Sequence, residues 1–275
     1  MYSRVYVEIT NICNMHCSFC HGHSRTKGRM NREEFARILS QLQGKTQYIY
    51  YHLMGEPLTH PELPLFLQMA KTQGFQSVIT TNGTLLGNMG CRLIDAGIHK
   101  VNISLHSFEE GTATTHLEYM RQVADFADRA TKAGVIVCLR LWNNGFDQDK
   151  NDDAVGFLQE RFSDPWSENS RGYRIRDNLF LEWGDRFSWP DQKAPSLGEH
   201  VFCYGLSNQF GILCDGSVVP CCLDSDGVIT LGNVFYEDLE EILSSPRAAA
   251  MVRGFANRTA TEDLCRRCGF ARRFQ

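Results

Sequence analysis

From residue 5 to about residue 185, short β-rich apolar runs alternate with longer stretches whose apolar residues recur every three or four positions. Val5-Tyr6-Val7-Glu8-Ile9 is the first strand, and Asn31 is placed to cap a helix whose apolar face is Phe35, Ile38, Leu39 and Leu42. Further strands are predicted over Tyr48 to Leu53, Gln76 to Thr81, Val101 to Leu105, Val135 to Leu141 and Leu179 to Glu182. The helices between them carry Leu65, Phe66 and Met69, then Leu93 and Ile94, then Tyr119 to Ala133, then Ala154 to Phe162. Such alternation means crossover βα units, a parallel sheet and an α/β fold. Six units are too few for a closed eight-stranded barrel, leaving an open partial barrel or a doubly wound sheet. In either, ligand groups collect at the carboxyl ends of the strands. Those ends carry the stretch from Cys13 onward, Met54-Gly55-Glu56-Pro57, Thr81-Asn82-Gly83, Ser104 to Ser107 and Arg140 to Asn143. As a set they point to one pocket, although Asn82-Gly83 alone is as good a turn as a ligand contact.

Residues 186–200 hold two prolines and little periodicity and read as a linker. Beyond them Gln209 to Leu213, an Asp215-Gly216 turn and Val218-Val219 predict a β-hairpin, and Leu239 to Leu243 a helix. The expected division is therefore 1–185, a linker over 186–200, and a smaller unit over 201–275. A net charge of −4 argues against a chain that grips nucleic acid with its whole surface. No run approaches the roughly 18 apolar residues of a membrane span, and the amino terminus does not read as a secretory signal. A cytoplasmic protein with neither nucleic acid nor membrane as partner is the expectation.

Eleven cysteines are many for such a chain, and an odd number cannot all pair internally. Clustered cysteines in a reducing compartment are more often metal ligands or redox groups than cross-links. Cys13, Cys17 and Cys20 form C-x-x-x-C-x-x-C; Cys221 and Cys222 are adjacent; Cys265 and Cys268 form C-x-x-C. Cys91 and Cys138 read as small buried core residues. Three thiolates at the first spacing can wrap one corner of a cubane iron–sulfur cluster and leave its fourth iron open. A zinc site normally takes four ligands, and His16, His21 or His23 would have to supply the last one.

The segment Cys13-Asn-Met-His-Cys17-Ser-Phe19-Cys20, following the first strand, resembles the C-x-x-x-C-x-aromatic-C signature of the radical S-adenosylmethionine (radical SAM) enzymes. The resemblance covers residues 5 to about 185 and implies a partial (β/α)6 barrel. It implies a [4Fe–4S] cluster on Cys13, Cys17 and Cys20, with S-adenosylmethionine chelating the open iron. Phe19 would then lie near the adenine. Gly55 and Glu56 resemble the last two residues of the family's Gly-Gly-Glu motif, which contacts the methionine amino group; the first glycine is Met54 here. By strand position, Ser104 and Arg140 would contact ribose and carboxylate.

In the last quarter, a two-residue turn at Asp215-Gly216 sets Cys214 opposite Ser217, four residues from Cys221. At about 3.3 Å per residue that is roughly 13 Å, too far for Cys214 and Cys221 to share a cubane. Cys222 points away from Cys221 if the strand continues, so one of that pair can ligate. Cys203, Cys221, Cys265 and Cys268 are the preferred set, and a structural zinc knuckle on the same four is the alternative. With Val219-Pro220-Cys221, Leu231-Gly232-Asn233 and Cys265-Arg-Arg-Cys268, the segment resembles the twitch domain, a shortened relative of SPASM that holds an auxiliary [4Fe–4S] cluster. The predicted architecture is thus a partial barrel followed by a small unit of β-hairpin plus helix. Cys214 and Cys222 are then spare, either inert or thiol hydrogen donors.

The implied chemistry is reductive cleavage of S-adenosylmethionine and hydrogen abstraction from a small-molecule or peptide substrate. An electron donor such as flavodoxin or ferredoxin is implied with it. Oxidation of an alcohol with the auxiliary cluster as electron acceptor is the favoured outcome. Cross-linking or epimerisation of a ribosomal peptide is the second outcome, and a non-catalytic iron–sulfur or zinc scaffold the third. His106, Asp177 and Glu182 are candidate bases by strand position. Residues 246–275 carry seven arginines against two acidic residues, a face for an acidic donor or simply a solvated one.

Overall fold

The structure, a computed structural model, describes residues 1–108, 114–144 and 151–274. Eleven strands form one sheet in the order β11-β10-β9-β1-β2-β3-β4-β5-β8-β7-β6. In chain order the elements begin β1 (Arg4–Val7), α1 (Arg32–Leu42), β2 (Tyr48–Tyr50), α2 (Leu63–Thr72), β3 (Gln76–Thr81) and α3 (Leu86–Asp95). They continue with β4 (Lys100–Ser104), α4 (His116–Lys132), β5 (Ile136–Asn144), α5 (Asn151–Arg161), β6 (Ser167–Asn169), β7 (Gly172–Arg176) and β8 (Leu179–Asp185). The last are β9 (Gln209–Ile212), β10 (Ser217–Val219), β11 (Gly232–Asn233), α6 (Leu239–Leu243) and α7 (Pro246–Ala256).

Strands β1, β2, β3, β4, β5 and β8 are parallel neighbours in sequence order. Each crossover steps to the next strand and never reverses, and α1 to α5 touch one another in series. The helices therefore share one face and the sheet is an open partial barrel, not a doubly wound sheet. The helix-facing positions alternate with the inward ones, as strand geometry requires. Val5, Val7, Ile49, Tyr51, Ile79, Val101, Ile103, Val137, Leu139, Leu179 and Leu181 are buried in one core with Phe35, Phe66 and Phe126. The opposite, concave face carries Tyr6, Tyr50, His52, Thr80, Asn102, Ser104, Cys138, Arg140 and Glu182. Asn31 caps α1 as expected, its side chain accepting from Glu34 N (2.9 Å) while Glu34 accepts from Asn31 N (2.7 Å).

Several sequence expectations are corrected. Leu213 N donates to Ser217 O (2.9 Å), so the β9–β10 loop has three residues, Cys214-Asp215-Gly216, and Cys214 does not face Ser217. Gly216 at φ +85° closes that three-residue loop. Cys91 is exposed, because α3 buries Leu86, Gly90 and Leu93 and turns Cys91 toward Arg129. Cys138 is buried, as expected. The β6–β7 hairpin was not visible in a charged run with weak alternation, and α7 was hidden in alanines that give no apolar period.

Candidate active site

The chain between Thr10 and Gly28 is closed at its base into a self-contained loop. Thr10 Oγ1 donates to Gly28 O (3.1 Å), Asn11 Nδ2 to Thr26 O (2.9 Å) and Gly28 N to Asn11 Oδ1 (2.8 Å). Cys13 and Cys20 stand exposed on this loop, and Cys17 is half-buried with its thiol toward Ser107 O (3.7 Å). Met15 N donates to Cys13 Sγ (3.4 Å). Although Cys13 is exposed, its sulfur is partly desolvated by its neighbours, which pushes the thiol up, and the nearby Glu56 and Cys20 add to it. Phe19 lies 5.2 Å from the His106 ring, with the Arg186 guanidinium 5.7 Å from its own centroid. His23 Nε2 is committed to Asn11 O (2.9 Å), and His21 stacks on Trp189 of the 186–200 segment.

Two elements after β2 buttress that loop. Gly55 has φ +77°, and a Cβ there would lie 2.5 Å from Thr10 O and 2.8 Å from Asn11 C. Only glycine lets the two chains touch. The buried Glu56 carboxylate accepts from Asn82 N (2.7 Å), Thr81 Oγ1 (2.8 Å) and Leu58 N (3.0 Å), tying the ends of β2 and β3 together. Burial pushes its pKa up to about 7 against those three bonds. Three of roughly four acceptor directions of the carboxylate are used.

The sequence reading missed Glu8, which is 0% exposed. Its carboxylate pairs with Arg25 Nη2 (2.7 Å) and accepts from Met54 N (3.0 Å) and Cys214 N (3.2 Å). One side chain thus joins the cysteine loop, the β2 loop and the β9–β10 hairpin. Arg25 Nε also donates to Ser225 O (2.7 Å), and Asp226 accepts from Ser24 N (2.6 Å). A lone acid inside an alternating strand gives no sequence signal; only the packing marks it.

On the concave face Ser104, Arg140 and Glu182 are register partners across β4, β5 and β8. Arg140 stacks over Trp142 (4.4 Å), and its Nε is 3.8 Å from Glu182 Oε2. Of the candidate bases, Glu182 is half-buried on this face, while Nδ1 of His106 sits between Arg140 O (3.1 Å) and Trp142 N (3.3 Å). Asp177 is exposed at the β7–β8 turn beside Arg174, at the amino end of β8, and is withdrawn as a base.

Cys203, Cys221, Cys265 and Cys268 line one cavity with Val201, Pro220, Ile229, Phe255 and Leu264. Burial pushes all four thiols up, and neighbouring thiols add to this for Cys203, Cys221 and Cys265. Cys222 turns the other way and packs on the cluster of Tyr6, Leu53, Leu213 and Val219. Cys214 lies apart, beside Arg25 and Gly28. Among the described residues no three His, Cys, Asp or Glu side chains converge on a single ion position. A cubane asks for something else, since its thiolates bind separate corners. The donor sets suit such clusters: three soft thiols on a projecting loop, and four in an apolar cavity.

The radical SAM superfamily model matches residues 7–145, half of the chain, and an iron–sulfur cluster-binding model, SPASM, matches residues 203–269. The chain belongs to the radical SAM superfamily. S-adenosylmethionine and [4Fe–4S] clusters are the cofactors that membership implies. A GTP 3′,8-cyclase of Chlorobaculum tepidum is 31% identical over 164 residues, 56% of this chain and 48% of that protein. This chain thus spans about half the length of that relative. A probable GTP 3′,8-cyclase of Sulfolobus acidocaldarius is 25% identical over 90% of this chain and 91% of its own. The fold is shared with BtrN in complex with AdoMet and 2-DOIA (TM-score 0.62, 20% identity, 98% of this chain and 93% of that one). It is shared also with SuiB of Streptococcus suis (TM-score 0.64, 16%, 97% and 70%). No helix among the described residues is long and apolar enough to cross a membrane.

Two outcomes test this geometry. Glu8→Gln leaves the Arg25 guanidinium buried without a counter-charge, and urea denaturation should register a loss of about 3–5 kcal/mol. Loss below about 1 kcal/mol would mean that the pair is not what joins the three segments. For Glu56 the folded pKa lies above the ordinary 4.5, so its stabilising contribution is whole below that pH and is lost as pH rises through about 7. The stability of the natural protein relative to Glu56→Gln should therefore fall by about 3 kcal/mol from acid to mildly alkaline solution. A flat difference would contradict the burial effect.

Proposed function

We propose that this radical SAM enzyme oxidises an alcohol carbon of its substrate by two electrons, with Cys203, Cys221, Cys265 and Cys268 holding the electron-accepting cluster. The observation that carries the reading is the convergence of those four thiols on one buried apolar cavity. With four thiolates every iron of a cubane has a protein ligand, which suits electron transfer and leaves no iron to bind substrate. When bound, the cofactors supply a 5′-deoxyadenosyl radical at Cys13, Cys17 and Cys20 and a one-electron sink at the second site. The chain does the rest. Phe19 would pack the adenine, Gly55 and Glu56 would set the loop that receives the methionine amino group, and Ser104 and Arg140 would reach ribose and carboxylate. Glu182, half-buried beside Arg140, is placed to take the hydroxyl proton as the carbinol becomes a carbonyl. The electron comes from a flavodoxin- or ferredoxin-like donor, and the units acting together are 1–185 and 201–275.

A second reading has its own support: the Sulfolobus acidocaldarius relative, named a probable GTP 3′,8-cyclase, aligns over nine-tenths of both chains. The SuiB structure bound to the precursor peptide SuiA has the same fold at 17% identity, which supports no more than an architecture able to serve peptides.

With dithionite and S-adenosylmethionine, the natural protein should release 5′-deoxyadenosine, and Cys17→Ala should lose that release more than about a hundredfold. The Cys265→Ala, Cys268→Ala variant should keep releasing nucleoside yet form no oxidised product. Undiminished release from Cys17→Ala, or cyclisation of added GTP, would overturn the assignment.

A further inference from the structure

Five buried side-chain nitrogen or oxygen atoms among the described residues have no hydrogen-bond partner: His23 Nδ1, His52 Nδ1, Gln76 Oε1, Asn102 Oδ1 and Arg140 Nε. Burying such an atom unpaired is costly, so folded proteins hold few, and their placement is informative. The last four all sit at inward positions, on or just past β2, β3, β4 and β5. Thr80, Asn102, Cys138 and Phe180 are register partners on one level, with Ser104, Arg140 and Glu182 one level nearer the rim. His52, two residues past Tyr50, falls beside Thr80, since Tyr50 pairs with Val78.

The neighbours fix what each atom lacks. Asn102 Nδ2 already reaches Ile79 O and Thr80 Oγ1, each at 3.3 Å, so its amide oxygen faces elsewhere and needs a donor. Arg140 Nε, held over Trp142, needs an acceptor better placed than Glu182 at 3.8 Å. His52 stands edge-on to Tyr6 (5.3 Å) and Tyr50 (6.0 Å), and burial, then Arg140, drives its pKa down to about 3. A neutral imidazole has one donor and one acceptor and attracts no anion. From β2 to β5 is three strand spacings, about 14 Å along the sheet and less across its concave side.

We infer that the concave face is a substrate well for a compact polyhydroxylated molecule, uncharged or cationic, with His52 and Asn102 as its specificity-determining contacts and Arg140 left to the carboxylate assigned to it above. Hydroxyl groups both donate and accept, so one ring bearing several of them satisfies both vacancies. An apolar substrate satisfies none. A triphosphate meets a neutral histidine and the Glu182 carboxylate, which already shares the Arg140 charge at 3.8 Å. This assignment rests on the oxidation reading only for what happens to the bound molecule.

The probes are myo-inositol, glucosamine and GTP, each titrated into cluster-loaded protein with S-adenosylmethionine and no reductant. Binding is followed by the fluorescence of Trp142, with Trp142→Phe as the control for the signal's origin. A saturable change with myo-inositol or glucosamine is expected, weakened at least about tenfold by His52→Leu and only a few-fold by His52→Gln. A flat response to both polyols up to their solubility limit, or saturation by GTP alone, overturns the inference. Added reductant then separates the two claims. A bound polyol recovered without loss of two hydrogens defeats the oxidation reading and leaves the well standing.

Discussion

Strand β1 is paired on both sides, with β2 and with β9, and everything else in the molecule is hung on that double pairing. Its carboxyl end leads straight into the cysteine loop. Its first neighbour supplies the glycine against which that loop packs. Its second neighbour begins the hairpin that ends at Cys221. The buried Glu8 carboxylate closes the arrangement, since Met54 N, Cys214 N and Arg25 all meet on it. A charge so deeply buried persists only with such partners. The auxiliary unit is therefore continuous with the sheet and not an appended bead.

The same sheet separates two environments. Its convex side is apolar and sealed by α1 to α5, which stabilises the fold. Its concave side carries a histidine, amides and an arginine whose hydrogen-bonding capacity is incompletely used. Proteins tolerate that expense where a ligand completes the bonds. Cys221 and Cys222 mark the boundary: adjacent residues face opposite ways, one into the thiol-lined cavity and the other toward Tyr6.

What could be read from the sequence was local in origin. The spacing of Cys13, Cys17 and Cys20 is a property of a few consecutive residues, and the capping of α1 by Asn31 likewise. All six core strands showed, because their buried helix-facing residues recur at period two. The role of Glu8 was invisible, because its three partners lie 17 to 206 residues away. Cys214 was misplaced by one residue of turn length, and one residue reverses a strand's faces. Cys91 was taken for core because a cysteine beside apolar neighbours looks buried until the helix phase is known. Cys203, Cys221, Cys265 and Cys268 line one cavity, although the two-residue turn from which the sequence argument excluded Cys214 is a three-residue loop.

The central claim is that two separate thiol sets on one sheet hold two cubane clusters. Iron, sulfide and zinc analysis of anaerobically reconstituted protein tests it most directly. The account predicts about eight irons per chain in the natural protein and about four in the Cys265→Ala, Cys268→Ala variant. Zinc in place of iron, or about four irons in both proteins, would contradict it.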